Sequence, residues 1–428
     1  MFTALNNSEI NHSFKKSILN GLSPDGSLYF PKKINHLKEL INNITEVSNQ
    51  EIGFSVMKSF INNEIQNKSL KKIIEKTINF NFPLKKIDHN IFSFELFHGP
   101  TLAFKDVGAT FLANSLEYFT KNNVLNILVA TSGDTGAAVA NSFHNKKNIN
   151  VVILFPKNKI SSFQQKQITT KGDNVYGVQV EGDFDQCQKL VKEAFNDKKL
   201  RNEIDISSAN SINVGRWLPQ IIYYFILFKE LKKINKEKNI CISIPSGNFG
   251  NICAGIMSQE MGLNFNKIVG STNINDTIPR YLLNGLLEPN KTKRTISNAM
   301  DVSIPNNFPR IEKIYKNDFK ILSKKLIGEK VSELETKNEI KNTFKKSEYV
   351  LDPHGAVGLV GLRKNLNKNQ TGVFFETAHP IKFIESITDI IGIKEDFFNI
   401  STNFNSNETI HSIDNNYTSL IKFLKSIN

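Results

Sequence analysis

The chain has 428 residues, 39% hydrophobic and 22% charged, which supplies apolar material for a large core and exceeds one ordinary domain. Its formal charge of +13 comes from 54 Lys and Arg against 41 Asp and Glu, but the lysines are scattered among Asn and Ile, so they read as a solvated basic surface that attracts small anions rather than as a nucleic-acid footprint. No apolar run reaches the roughly 18 residues of a membrane span, the N-terminus lacks an export-signal pattern, and Cys187, Cys241 and Cys253, with no CxxC spacing, argue against a disulfide framework or a zinc site and fit the reducing cytoplasm.

Residues 1 to about 85 alternate short helical patterns with turns. A turn cluster at 21–31 ends in a short strand, and 33–78 reads as several amphipathic helices. From about residue 90 the texture changes. Apolar runs at 126–130, 151–155, 240–244 and 371–375 are each followed by a polar or glycine-rich turn and then, in most cases, a helical pattern. Near-continuous apolar strands of this kind predict a mostly parallel sheet covered by helices on both faces. Ligands of such sheets collect beyond the carboxyl ends of the strands. The polar motifs sit at those ends.

The first motif in chain order is Phe104-Lys105-Asp106, reached through His98-Gly99-Pro100-Thr101. It sets a lysine at the start of the apolar, helix-like run 109–113. Burial disfavours the ammonium form, lowers the pKa and makes the amine a nucleophile toward carbonyls, which is Schiff-base chemistry. Taken alone, the tripeptide equally suits a lysine whose head reaches water. The loop Thr131-Ser132-Gly133-Asp134-Thr135-Gly136 opens a helix with hydroxyls and exposed amides, suited to a carboxylate or to plain N-capping. The cluster Ser208-Ala209-Asn210-Ser211-Ile212-Asn213 leads to Arg216, whose guanidinium suits a phosphate or a helix surface. Lys159, Lys166, Asp276 and Arg280 are similar, weaker candidates.

Ser246-Gly247-Asn248-Phe249-Gly250 is a strand–glycine loop–helix unit that fits a compact phosphate cup or a helix entry turn. It has neither a P-loop Lys-Ser/Thr nor a GxGxxG. Thr377 lies at a strand end before Ala378-His379-Pro380; a neutral hydroxyl facing a pyridine nitrogen would leave that nitrogen largely unprotonated. His98, His354 and His379 lack metal-ligand spacing, and no metal is expected.

Together and in this order these motifs, with 21–31 and Asn298-Ala299-Met300-Asp301-Val302, resemble the threonine synthase family over roughly residues 15–390. The resemblance implies pyridoxal-phosphate fold type II, the tryptophan synthase β-like α/β fold with mostly parallel sheets and an N-terminal helical extension. It implies a mainly helical N-terminal domain at 1–88 and a catalytic region at 89–428, with a smaller mobile subdomain around 105–215. It implies pyridoxal 5′-phosphate as cofactor, carried on Lys105, with its phosphate held by Gly247, Asn248, Phe249 and Gly250 and its ring nitrogen facing Thr377. Thr131, Ser132, Asp134 and Thr135 would take the substrate carboxylate, and Asn210, Ser211, Asn213 and Arg216 its phosphate.

The implied reaction is that of a lyase: O-phospho-L-homoserine and water give L-threonine and phosphate, in a monomer or a dimer. Two departures stand out, Asn251 where the family often has aspartate and Glu376 where a small residue is common. On a strand, Glu376 points away from the face of Thr377. The competing readings are a dehydratase or cysteine synthase of the same superfamily, which needs no second anion site, and a binding protein that kept only the fold.

Overall fold

In the computed structural model, which describes residues 1–120, 123–131, 133–400 and 408–428, two parallel sheets face one another across a cleft. The strands in chain order are β1 (Phe2–Ala4), β2 (Tyr29–Pro31), β3 (Leu84–Asp88), β4 (Ile91–Glu95), β5 (Leu125–Ala130), β6 (Ile149–Pro156), β7 (Val175–Val180), β8 (Ile206–Ser208), β9 (Ile240–Pro245), β10 (Lys267–Thr272), β11 (Leu326–Lys330), β12 (Thr371–Glu376) and β13 (Ile410–Ile413).

The larger sheet has the order β11-β10-β9-β12-β4-β3, parallel except for the antiparallel β3 at its edge. The smaller sheet runs β13-β7-β6-β5-β8 and is wholly parallel. A short antiparallel pair, β1 and β2, closes the N-terminal segment. The strands expected from the apolar runs appear as β5, β6, β9 and β12. Every residue of β5, β9 and β12 is buried, as strands covered on both faces must be.

Topology builds the site. β12 pairs with β9 on one side and β4 on the other, with Phe374 beside Ser243 and Phe375 beside Phe94. The loop after β9 and the chain leaving β12 therefore emerge side by side. The loop after β5 meets them from the other sheet.

The N-terminal segment is part of the same body. Its helices Lys38–Asn42, Asn49–Ile61 and Asn67–Thr77 lie within the stretch read as amphipathic, and Ser48 and Glu51 cap the second reciprocally. Ile52, Ile61, Leu70 and Ile74 bury their faces in the core that also holds Phe111, Leu112 and the helix Ile221–Lys233. Arg310 is fully buried, lies over the Trp217 ring and donates to the backbone oxygens of Tyr29, Ser211 and Ile212 at 3.2, 3.0 and 2.6 Å. It ties the N-terminal pair of strands to the polar cluster after β8. A second, smaller core under the five-stranded sheet includes Leu420 and Leu424 of the last helix. Among the described residues no helix is long and apolar enough to cross a membrane.

Phe14 packs against Phe2, Phe111 and Phe119 at ring distances of 5.9, 6.4 and 6.4 Å, joining the first helix to the helix that starts at Lys105. Phe14→Ala is expected to lower unfolding free energy by about 3–5 kcal/mol in urea titration, since the cavity opens between two packed helices.

Candidate active site

A cavity of about 890 Å3, measured to its open mouth, lies where the ends of β5, β9 and β12 converge. Among the residues that line it are Lys105, Thr131, Asp134, Thr135, Asn210, Ser211, Arg216, Thr377 and the whole loop from Gly247 to Gly250.

Lys105 is the first residue of the helix Lys105–Phe119, and its position is set from three directions. Phe104 N–H donates to the Thr377 oxygen at 2.8 Å, His379 N–H donates to the Leu102 oxygen at 2.9 Å, and the Tyr223 hydroxyl donates to the Phe104 oxygen. Ala103 and Ala378 thus pair as an isolated antiparallel bridge. Leu102 takes φ 59°, a costly conformation for a branched side chain, at the turn into this bridge. In the first helical turn Asp106 accepts from Thr101 N–H at 2.9 Å and from the Thr101 hydroxyl at 2.5 Å. Burial pushes the Asp106 carboxyl up to about 6.

The Lys105 side chain is 15% exposed, and its amine stands 3.8 Å from Asp134 Oδ2. Burial lowers its pKa to about 8, with Asp134 pulling the other way and Lys382 and Arg216 adding to the depression. The other oxygen of Asp134 is taken: Lys382 Nζ lies at 2.9 Å and Gln164 Nε2 donates at 3.0 Å. Burial alone would raise Asp134, but Lys382 and Lys105 hold it well below the usual carboxylate range. Asp134 opens the helix Asp134–Phe143, and Thr131 Oγ1 accepts from the Gly133 and Gly136 amides at 2.9 and 2.8 Å, which shapes the loop. Ser132 lies outside the described residues.

The loop after β9 has the character of an anion cup. Phe249 adopts φ 57° just before the helix Gly250–Glu260, and among the described residues none of the backbone amides from Gly247 to Gly250 finds an acceptor within the protein. Unpaired amides at a helix N-terminus favour a phosphate. A Cβ on Gly247 would lie 2.8 Å from the Ala299 oxygen and 2.9 Å from Met300 Cα, so only glycine lets the turn Asn298–Met300 close over the loop. Asn307 braces the cup: its N–H and Nδ2 donate to the Asn248 oxygen at 3.2 and 3.1 Å, and Nδ2 also donates to Ser211 Oγ at 3.0 Å.

Asn210, Ser211 and Arg216 form a second polar wall. Asn210 Nδ2 donates to the Ala130 oxygen at 2.9 Å and Arg216 Nη1 to the Ala209 oxygen at 2.7 Å. Burial lowers the Arg216 guanidinium to about 10, leaving it charged at neutral pH. Asn213 is not among the lining residues. Its Nδ2 donates to Ile18 O and Ser208 O and its Oδ1 caps Gly215 N–H, so its side chain is spent on folding the turn. Lys159 and Lys166 are exposed, and Asp276 pairs with Arg280 and Lys330 away from the cavity.

Glu376 points away from Thr377, as alternation on a strand requires. It is fully buried, and a Cβ on residue 355 would collide with its carboxyl, so the space it fills exists because that residue is Gly355. Neither of its oxygens receives a protein hydrogen bond, while burial and the neighbouring Asp352 push its pKa well above the usual range. Both effects favour the neutral form of Glu376. Asp352, lowered despite its burial by the neighbouring Glu376 and His354, meets His354 Nδ1 at 2.5 Å. Ala299 N–H donates to His354 Nε2 at 3.3 Å, which fixes the tautomer with hydrogen on Nδ1. Asn251 turns its Oδ1 to the Tyr224 hydroxyl at 2.9 Å.

Lys382, Gln164, Asn307 and Asp352 went unread in the sequence. For Lys382 a signal existed: a lysine between Ile381 and Phe383, the same apolar setting that marks Lys105.

The residues fit pyridoxal phosphate: an amine of lowered pKa, an amide cup for phosphate and a neutral hydroxyl at the neighbouring strand end. Comparison with known proteins agrees. A family described as pyridoxal-phosphate-dependent enzyme matches residues 80–376, and one described as threonine synthase N terminus matches 2–78. The chain is 44% identical to the threonine synthase of Haemophilus influenzae over 382 residues, 89% of each chain. The crystal structure of Escherichia coli threonine synthase superposes with a TM-score of 0.93 at 36% identity, covering 100% of both chains. The pyridoxal-phosphate-bound threonine synthase of Brucella melitensis gives 0.90 at 30% identity, covering 99% of this chain and 98% of that one.

In cofactor-stripped protein, amine-directed labelling of Lys105 is expected to rise with a midpoint near pH 8, well below the surface lysines. Because the folded protein holds fewer protons than the unfolded chain above that pH, this group makes stability increase as pH climbs from about 8 toward the usual lysine range.

Proposed function

The chain belongs to the threonine synthase family of pyridoxal-phosphate-dependent enzymes, and from that premise we propose that its substrate is O-phospho-L-homoserine, which it converts with water to L-threonine and phosphate. The observation that carries this is the pairing of two anion-binding walls across one cavity. The amides of Gly247–Gly250 suit the cofactor phosphate, and Arg216 with Asn210 and Ser211 suits a second phosphate. Dehydratases of serine or threonine have no use for the second wall.

Bound at Lys105, pyridoxal phosphate supplies an electron sink for the charge left on carbon when protons are removed. The chain's own residues do the rest. Thr377 offers the ring nitrogen a neutral hydroxyl, which does not hold a proton on it. The loop 131–135 receives the substrate carboxylate through its amides and hydroxyls, at the start of a helix whose dipole favours an anion. Lys105, whose amine burial lowers to about 8, takes the α-proton as general base in its neutral form. Arg216 holds the phosphate during its departure from the γ-carbon and balances the charge it carries away. Closure of the smaller body around 105–215 over the substrate keeps water out until it is needed at the β-carbon.

The three free thiols, all buried, suit the reducing cytoplasm.

Incubation with O-phospho-L-homoserine is expected to release phosphate and threonine in equal amounts, and Lys105→Ala is expected to abolish both together with the cofactor's visible absorbance. Turnover of serine with none of phosphohomoserine would overturn the assignment. Arg216→Met is expected to lower kcat/KM by about 10–100-fold, the worth of a charged hydrogen bond, while leaving cofactor absorbance in place.

A further inference from the structure

We propose that Lys382 is a positioning residue for Lys105: it binds the Asp134 carboxylate from the far side, so that Lys105 faces an anion already paired and its amine stays available as a base. The proposal rests on the reading of Lys105 as the cofactor lysine, which the loss of visible absorbance in Lys105→Ala tests separately.

The side chain of Lys382 is wholly buried. It lies in the short 3-10 turn Pro380–Phe383 just past β12 and reaches two other segments. Its Nζ is 2.9 Å from Asp134 Oδ1 and donates to the Thr101 oxygen at 2.8 Å. Asp134 belongs to the loop after β5 in the other sheet, and Thr101 to the approach to Lys105. One ammonium thus links the turn past β12, the loop after β5 and the segment leading from β4 to Lys105. Gln164, from the helix Ser162–Thr169, adds its amide to the same Asp134 oxygen at 3.0 Å. Lys105 meets the other oxygen at the longer distance of 3.8 Å.

The ordering of distances decides how Asp134 acts. A buried carboxylate with a single ammonium neighbour would form a closed ion pair and hold that ammonium protonated, which is unfit for a base. With Lys382 and Gln164 on Oδ1, the charge is balanced before Lys105 is counted. The remaining groups facing this array include Arg216, Asp106, Tyr223, His354 and His379, the last lowered to about 4 by burial first and by its charged neighbours. Arg216 and Lys382 both disfavour a charged Lys105. Asp106, itself engaged by Thr101, is pushed up by burial. The Tyr223 hydroxyl is turned to the Phe104 oxygen, and His354 is held between Asp352 and the Ala299 amide.

The test is a pH titration of the visible absorbance of the lysine-bound cofactor in holoenzyme, alongside the pH profile of kcat/KM. In Lys382→Met the absorbance midpoint is expected to rise by about one unit or more, the size of an opposite-charge effect at this range. Lys382→Arg keeps the charge and should hold the midpoint within about 0.3 units. Asp134→Asn should lower the midpoint, and adding Lys382→Met to it should give less than half the rise seen alone. A purely structural Lys382 would weaken cofactor retention without moving the midpoint. If Lys382→Met does not fold, Lys382→Gln, which keeps a donor without the charge, must raise the midpoint in the same way. An unmoved midpoint in either cofactor-bound variant, a full rise in the Asp134→Asn background, or no change in Asp134→Asn alone overturns the proposal.

Discussion

The antiparallel bridge between Ala103 and Ala378 is the contact on which the site is built. Through it, Phe104 N–H and His379 N–H exchange hydrogen bonds with Thr377 and Leu102 across two segments more than 270 residues apart in sequence. The bridge is formed by backbone, so it tolerates many side chains, but it fixes where the helix Lys105–Phe119 begins. The result is that the amine and the Thr377 hydroxyl open onto the same cavity. Leu102 is held in a left-handed conformation to make the turn, and such strain persists only where the surroundings over-determine it.

Around that bridge the charges are arranged asymmetrically. Lys105, Lys382 and Arg216 bring three cations toward the Asp134 carboxylate. Burial raises Asp106 to about 6, which leaves it largely ionised at neutral pH, and pushes Glu376 toward its neutral form. A surplus of positive charge in a buried cleft is expensive unless an anion arrives, and the unpaired amides after β9 lean the same way. Pyridoxal phosphate, the cofactor of this family, carries such an anion. On the opposite face of β12, Asp352 holds His354, which through Ala299 secures the turn that roofs Gly247.

The strands and the loops at their ends were legible in the sequence because both signals are local. β9 and β12 are mostly apolar runs, and the amide-rich loop is marked by glycines soon after β9. The alternation rule also sent Glu376 to the correct face. What stayed hidden depends on distant segments meeting. Lys382 and Gln164 reach Asp134 only in the assembled cleft, and Asn307 joins Asn248 to Ser211 across about 100 residues. Asn213 sits in a run of candidate ligands, yet its neighbour Ile18, nearly 200 residues earlier, claims it for the turn. The short strands β1, β8 and β13 carry too few residues for a periodic pattern to show.

The insertion of β12 between β4 and β9 has a bearing on how the protein is made. Translation delivers β4 and β9 long before the strand that separates them, so both expose open edges while more than 120 residues are still being added. Lys105 and the loop after β9 are synthesised early but share no floor until residues 371–376 slot between their strands. Completion of the larger sheet and assembly of the cofactor site are consequently one late event, and a ribosome stalled before that point holds a chain with its most adhesive surfaces bare.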